Sequence, residues 1–168
     1  MKRIVVIIPF LVLLLAAGCE KNEGTVTNVP SKLVVLGYYS DDLKSFSETE
    51  ASDDVVFSGE DILFFNSETG EIKFKEDFSP FSVPWYNRIR FELSGEVLFH
   101  AIAASDINSQ IFNDLVLYYN VSDKKFYLND SYPVHIFTEE AKANKEKRAS
   151  AWVKFLNQLK VEGKLRSK

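Results

Sequence analysis

Hydrophobic residues fall into three patterns along this chain, and each predicts a different kind of structure. An apolar run at the amino terminus extends from Ile4 to Leu15, interrupted only by Pro9. Further on, short segments alternate apolar and polar residues, the period of a strand with one buried face. After Thr138 the period lengthens, and Ala149, Trp152, Val153, Leu156 and Leu159 recur at helical spacing.

The strand-like part begins with "LVVLGYY" (33–39), a β-branched and aromatic run. "SDDLKSFSETEASDD" (40–54) is acidic, rich in serine and without clear period, so it reads as a long exposed loop. In 55–75 a short strand, a Gly turn and a strand over 62–65 lead through the loop NSETG into Ile72 and Phe74, which alternate with Glu71, Lys73 and Lys75. That is a hairpin with a charged outer face. "RIRFEL" (88–93) puts Ile89, Phe91 and Leu93 on one face and Arg88, Arg90 and Glu92 on the other. Ser94-Gly95 then reverses the chain into "VLFHAIAA" (97–104). "NDLVLYYN" (113–120) and "KKFYLND" (124–130) predict a hairpin, and "VHIF" (134–137) a last short strand.

Thr138 suits a helix N-cap, with Glu139 and Glu140 in the first turn and Gly163 past the end. The expected element is one helix of about 20 residues whose polar first half, "EEAKANKEKR", lies in solvent. The fold class predicted is α+β: an antiparallel sheet of about seven or eight short strands, covered by one long C-terminal helix. A lipocalin-like barrel with an appended helix has the same order of elements.

Lys2 and Arg3, the apolar run and the small residues Ala16, Ala17 and Gly18 form an export signal, too short for a membrane span. The run ends on Cys19, the one cysteine of the chain, for which no disulfide partner exists. Leu15, Ala16, Ala17, Gly18 and Cys19 resemble the lipobox of bacterial lipoproteins, which implies acylation of Cys19 and cleavage before it. The expected organisation is a signal peptide over 1–18, a polar tether over 19–31 and a single domain over 32–168. Glu20, Lys21 and Glu23 partly resemble the acidic export signal of Bacteroidetes-type surface lipoproteins, and residue 20 is not Asp, so the outer membrane is favoured, with the surface or periplasmic face left open. At 58–74 and 113–133 the chain is also similar to small uncharacterised Bacteroidetes-type lipoproteins. That resemblance implies an envelope lipoprotein and assigns no catalytic residue.

Cleavage leaves 168 − 18 = 150 residues and lowers the basic count from 20 to 18 against 24 acids, a net charge near −6. Such a chain, without a basic block, is not expected to bind nucleic acid. No cysteine remains for a metal or a disulfide, and no cofactor is expected.

His100 and His135 are the only imidazoles, each expected as a structural residue in a strand, and no nucleophile, P-loop or zinc motif accompanies them. Glu60, Asp61 and Glu92 are carboxylates of the type used in glycoside hydrolysis, with nothing to bring two together. Asp41, Asp42, Glu48, Glu50, Asp53 and Asp54 crowd one loop, which reads as a solvated acidic loop before a calcium site. "FSPFSVPWYN" (78–87) is the sharpest binding candidate: two prolines stiffen a loop bearing Phe81, Trp85 and Tyr86, with Phe78 at its start. Rings folded inward as a plug are the competing arrangement. One of the neighbours Tyr118 and Tyr119 must point away from the core, and Tyr119 is grouped with the loop rings as the ligand-facing residue.

The function expected is a lipid-anchored, non-catalytic binding or interaction module, with a carbohydrate-binding accessory protein and a structural subunit of an envelope complex as alternatives. A hydrolase is the weakest reading. Partners are the membrane through Cys19 and a glycan or envelope protein.

Overall fold

The computed structural model describes residues 31–39, 54–78, 87–105 and 110–167. Alternating segments form strands β1 (Leu33–Tyr38), β2 (Asp54–Ser58), β3 (Ile62–Asn66), β4 (Glu71–Phe74), β5 (Arg88–Leu93), β6 (Glu96–Ser105), β7 (Val116–Asn120) and β8 (Lys125–Asn129). Two helices, α1 (Glu139–Lys147) and α2 (Ala149–Val161), and a two-residue strand β9 (Leu165–Arg166) follow.

All strands join one sheet in the order β2-β1-β5-β6-β7-β8-β4-β3-β9. It is a curled half-barrel, and the fold is mostly β, which corrects the expected α+β sheet under one long helix. The expected barrel is nearer in shape, but β2 and β9 remain as edges and the sheet does not close. Curling brings Phe57 of β2 within 4.9 Å of Phe74 on β4, although five strands lie between β2 and β4 in the sheet order. Pairing is mixed: β6 and β7 run parallel, as do β3 and β9.

The inner face holds Val35, Phe57, Phe65, Phe91, Leu117 and Leu128, closed by Phe155 and Leu159 of α2. β6 shows little alternation because both of its faces are covered: Ala101 and Ala103 face inward, while Ile102 and Ala104 join Phe112, Val116 and Tyr118 in a second cluster on the outer face. Burial on two sides removes the polar half of the pattern.

The single helix expected from Thr138 is two. Thr138 does cap α1, its hydroxyl accepting from the Ala141 N–H at 3.1 Å, and Gly163 takes φ 69 after α2. The interruption falls at Arg148, with φ −93 and ψ 3, where the guanidinium donates to Asp114 and to Asp130, both at 2.6 Å. Those partners lie on another part of the chain, so the side chain is held by tertiary contacts that helical spacing cannot reveal. The strand expected over 134–137 is absent: after Pro133 the chain turns, with the Ile136 N–H donating to the Pro133 carbonyl at 2.9 Å. β9 escapes the sequence because two residues carry no period. It exists through its backbone ladder, Phe65 N–H to Lys164 carbonyl at 2.8 Å and Ser67 N–H to Arg166 carbonyl at 3.0 Å.

Strand directions give the sheet two ends. At one, Ser31 enters β1, and its hydroxyl donates to Glu162 at 2.6 Å. α2 lies across this end, from Asp114 and Asp130 through Glu96, which receives Lys154 at 2.6 Å, to Ser31. Burial would raise the Glu162 carboxyl, but hydrogen bonds from Lys164, Ser31 and Gln158 outweigh it and hold it below the usual range. At the other end Tyr38, Arg88 and Ile102 stand in register on three adjacent strands, with the β7–β8 turn beyond them.

Candidate functional site

Cys19, Phe81, Trp85 and Tyr86 lie outside the described residues, as does the acidic segment up to Asp53. Phe78, at the start of the aromatic loop, folds inward: it stacks on Phe74 at 4.1 Å and meets Phe57 and Phe126 edge-on at 5.9 Å each. For this ring the plug is what forms. Tyr119 also faces inward, half-buried, 4.9 Å from Phe126. Its neighbour Tyr118 is the one on the outer face.

Two rows of side chains stand on that outer face. The first follows β1, β5 and β6, where the register sets Tyr38 beside Arg88 and Arg90 beside His100. The Tyr38 hydroxyl and His100 Nδ1 are hydrogen-bonded at 2.9 Å, and their rings meet edge-on at 6.0 Å. Arg90 pairs with Glu92 at 2.7 Å. Arg88, which alternation alone places on the polar side, is 1% exposed. Burial raises the Tyr38 phenol above its ordinary value, against the opposing pull of Arg88 and Arg90. A phenol, an imidazole and two guanidiniums, one of them paired with Glu92, thus lie together on the outer face toward the far end of the sheet.

The second row follows β7 and β8. Tyr118 stacks on Tyr127 at 5.4 Å with an interplanar angle of 23°, and Tyr132 tilts against Tyr118 at 5.0 Å. The Tyr127 hydroxyl donates to Asp123 at 2.7 Å, and burial followed by this bond pushes the phenol up to about 12. Glu71 and Lys125, paired at 3.1 Å, border the ring. Tyr118 is buried beneath the other two rings, so Tyr127 and Tyr132, both half-buried, are what the row presents, and rings edged by acceptors and donors suit the apolar face of a sugar ring and its hydroxyls. The signal was present in the alternation of "KKFYLND" and in the Tyr118–Tyr119 pair, but only strand register shows that Tyr118 and Tyr127 stand opposite one another.

His100 is engaged with Tyr38 on β6, and His135 is exposed on the turn that replaces the expected strand. Asp61 caps the turn after β2, accepting from the Ser58 N–H at 2.7 Å, and Glu92 is committed to Arg90. Among the described residues no group of three or more His, Cys, Asp or Glu is placed to hold a metal, and no helix is long and apolar enough to cross a membrane. The chain matches no protein-family model, no curated protein and no solved structure.

Proposed function

We propose that this protein is a lipoprotein, acylated at Cys19 and held at the outer membrane, whose domain acts as a non-catalytic binding module. The observation that carries the reading is the small-small-Cys ending of the apolar run, followed by a polar stretch that enters the domain at Ser31. From Cys19 to Ser31 there are 11 intervening residues, Glu20 to Pro30, which reach at most about 40 Å. The domain therefore stays close to the membrane. The connections carrying 40–53 and 79–86 leave the sheet from the other end, at Tyr38 and Phe74, and return there at Asp54 and Arg88. Phe81, Trp85 and Tyr86 thus belong to connections rooted away from the anchor.

Carbohydrate is the favoured ligand class, because the half-buried Tyr127 and Tyr132 stand on the outer face with Glu71 and Lys125 beside Tyr127, and the sequence adds Trp85 and Tyr86. Two measurements test these readings. Intact mass of the protein from membranes is expected to show acyl chains that Cys19→Ser lacks, and protease treatment of whole cells decides between the surface and periplasmic faces. Titration against a glycan panel is expected to give binding that Trp85→Ala and Tyr127→Ala each weaken. An inert wild type in that panel would sink the carbohydrate reading and leave the anchor standing.

A further inference from the structure

One ring on the outer face of the sheet is bordered by a donor and an acceptor whose places are set by strand register. Tyr118, Tyr127 and Glu71 stand side by side on β7, β8 and β4. Tyr127 therefore has the buried Tyr118 ring on one side, parallel to it within 23°, and a carboxylate on the other. Lys125 lies two residues back on β8, on the same face, and its ammonium donates to Glu71 Oε2 at 3.1 Å.

The groups beside Tyr127 differ in what they have left to offer. The Tyr127 hydroxyl gives its proton to Asp123 Oδ2 at 2.7 Å, and Asp123 Oδ1 accepts the Lys125 backbone N–H at 3.1 Å, so Asp123 serves the turn and the ring. Glu71 accepts Lys125 through Oε2, which leaves Oε1 as an acceptor, and the ammonium keeps further N–H donors. An acceptor and a donor one hydrogen-bond length apart, beside an aromatic ring, match two neighbouring hydroxyls of a pyranose whose apolar face lies against that ring. Charge narrows the class. Glu71 and Lys125 cancel, and Asp123 adjoins the exposed Lys124, so a sugar carboxylate would compete with Glu71 for Lys125 and meet Asp123 as well.

We propose that Tyr127, Glu71 and Lys125 form a subsite for a neutral hexopyranose. The apolar face of the sugar lies on the side of Tyr127 away from Tyr118, one hydroxyl donates to Glu71, and its neighbour accepts from Lys125. This rests on the carbohydrate reading above and names the sugar chemistry of its outer-face part. A single ring over one tyrosine on an open sheet face binds weakly, with a Kd on the order of millimolar.

The test titrates the full-length protein, isolated from membranes in a sugar-free detergent, with the methyl glycosides of glucose, galactose, mannose and glucuronic acid, read by amide NMR. At least one neutral glycoside is expected to shift Glu71, Lys125 and Tyr127, and to bind several-fold tighter than the glucuronide. Glu71→Gln and Lys125→Met are each expected to weaken that binding several-fold. Lys125 is 45% exposed, and a surface pair of this kind adds little to stability, so both variants keep the fold. A neutral glycoside that binds Glu71→Gln as well as wild type, or a glucuronide that binds as tightly as the neutral sugars, would overturn this subsite and leave the carbohydrate reading standing. So would silence toward all four glycosides in protein that binds the glycan panel. Silence toward the panel too would overturn both.

Discussion

Arg148 shows how one side chain can override a local pattern. Its guanidinium, 9% exposed, holds Asp114 and Asp130 together, and Lys145 adds a second contact to Asp130 at 2.8 Å. Burial would raise the Asp130 carboxyl, but the hydrogen bonds from Lys145 and Arg148 outweigh it and lower it below the ordinary value. A carboxyl lowered on folding stabilises the protein above its unfolded pKa, near 4, and that stabilisation disappears as pH falls through the lower folded value. Arg148→Met is therefore expected to cost about 2 kcal/mol at neutral pH, and much less in the acid range. Urea unfolding of both proteins across that range checks it, and an equal loss at every pH would remove the ion pairs as the cause. In the sequence Arg148 is one more charge in a polar stretch, since its partners stand 34 and 18 residues away.

At the scale of elements, the hairpins were the most legible part of the chain because their instructions are local. Asn66 and Asn120 each end a strand and accept two backbone N–H groups through Oδ1, those of Glu68 and Thr69 and those of Ser122 and Asp123. Each loop then closes on a residue of positive φ, Gly70 at 77° in the first and Lys124 at 58° in the second. Gly70→Ala is expected to destabilise by more than about 2 kcal/mol, because left-handed backbone strains a side chain. An added Cβ would also stand 2.7 Å from the Leu128 carbonyl. Lys124→Gly, at the equivalent place, is expected to raise stability by about 0.5 kcal/mol, the relief of strain partly offset by the entropy of glycine. Thermal melts of the two variants should move in opposite directions. Helix α2 and strand β9 were less legible, because the break at Arg148 and the two-residue ladder both depend on distant parts of the chain.

For the whole molecule, α2 acts as the piece that fills the open half-barrel. Phe155 meets Phe65, Phe91 and Phe99 at 5.5, 5.8 and 5.6 Å, joining strands from both halves of the sheet. Phe155→Ala is expected to cost about 4 kcal/mol and to lower the unfolding midpoint of sheet and helix together. Separate transitions for the two, followed by far-ultraviolet signal and by Trp152 fluorescence, would show that α2 is an appendage.

Local chemistry alone determined most strand segments, the turns at Ser94-Gly95 and Asn66, the cap at Thr138 and the inward position of Trp152, Leu156 and Leu159, since each depends on residues within a few positions; of the same helical stripe Val153 is exposed, and the buried Phe155 lies outside it. It also carried the Cys19 motif, which is read as a contiguous string. Tertiary structure decided which strands became neighbours, the parallel pairing of β6 with β7, the burial of Arg88 on a face that alternation marks as polar, and the choice of Tyr118 over Tyr119 for the outer row. Those outcomes depend on how far the sheet curls and on what packs against its second face. Both are set by contacts between residues distant in the chain, to which hydrophobic periodicity is blind.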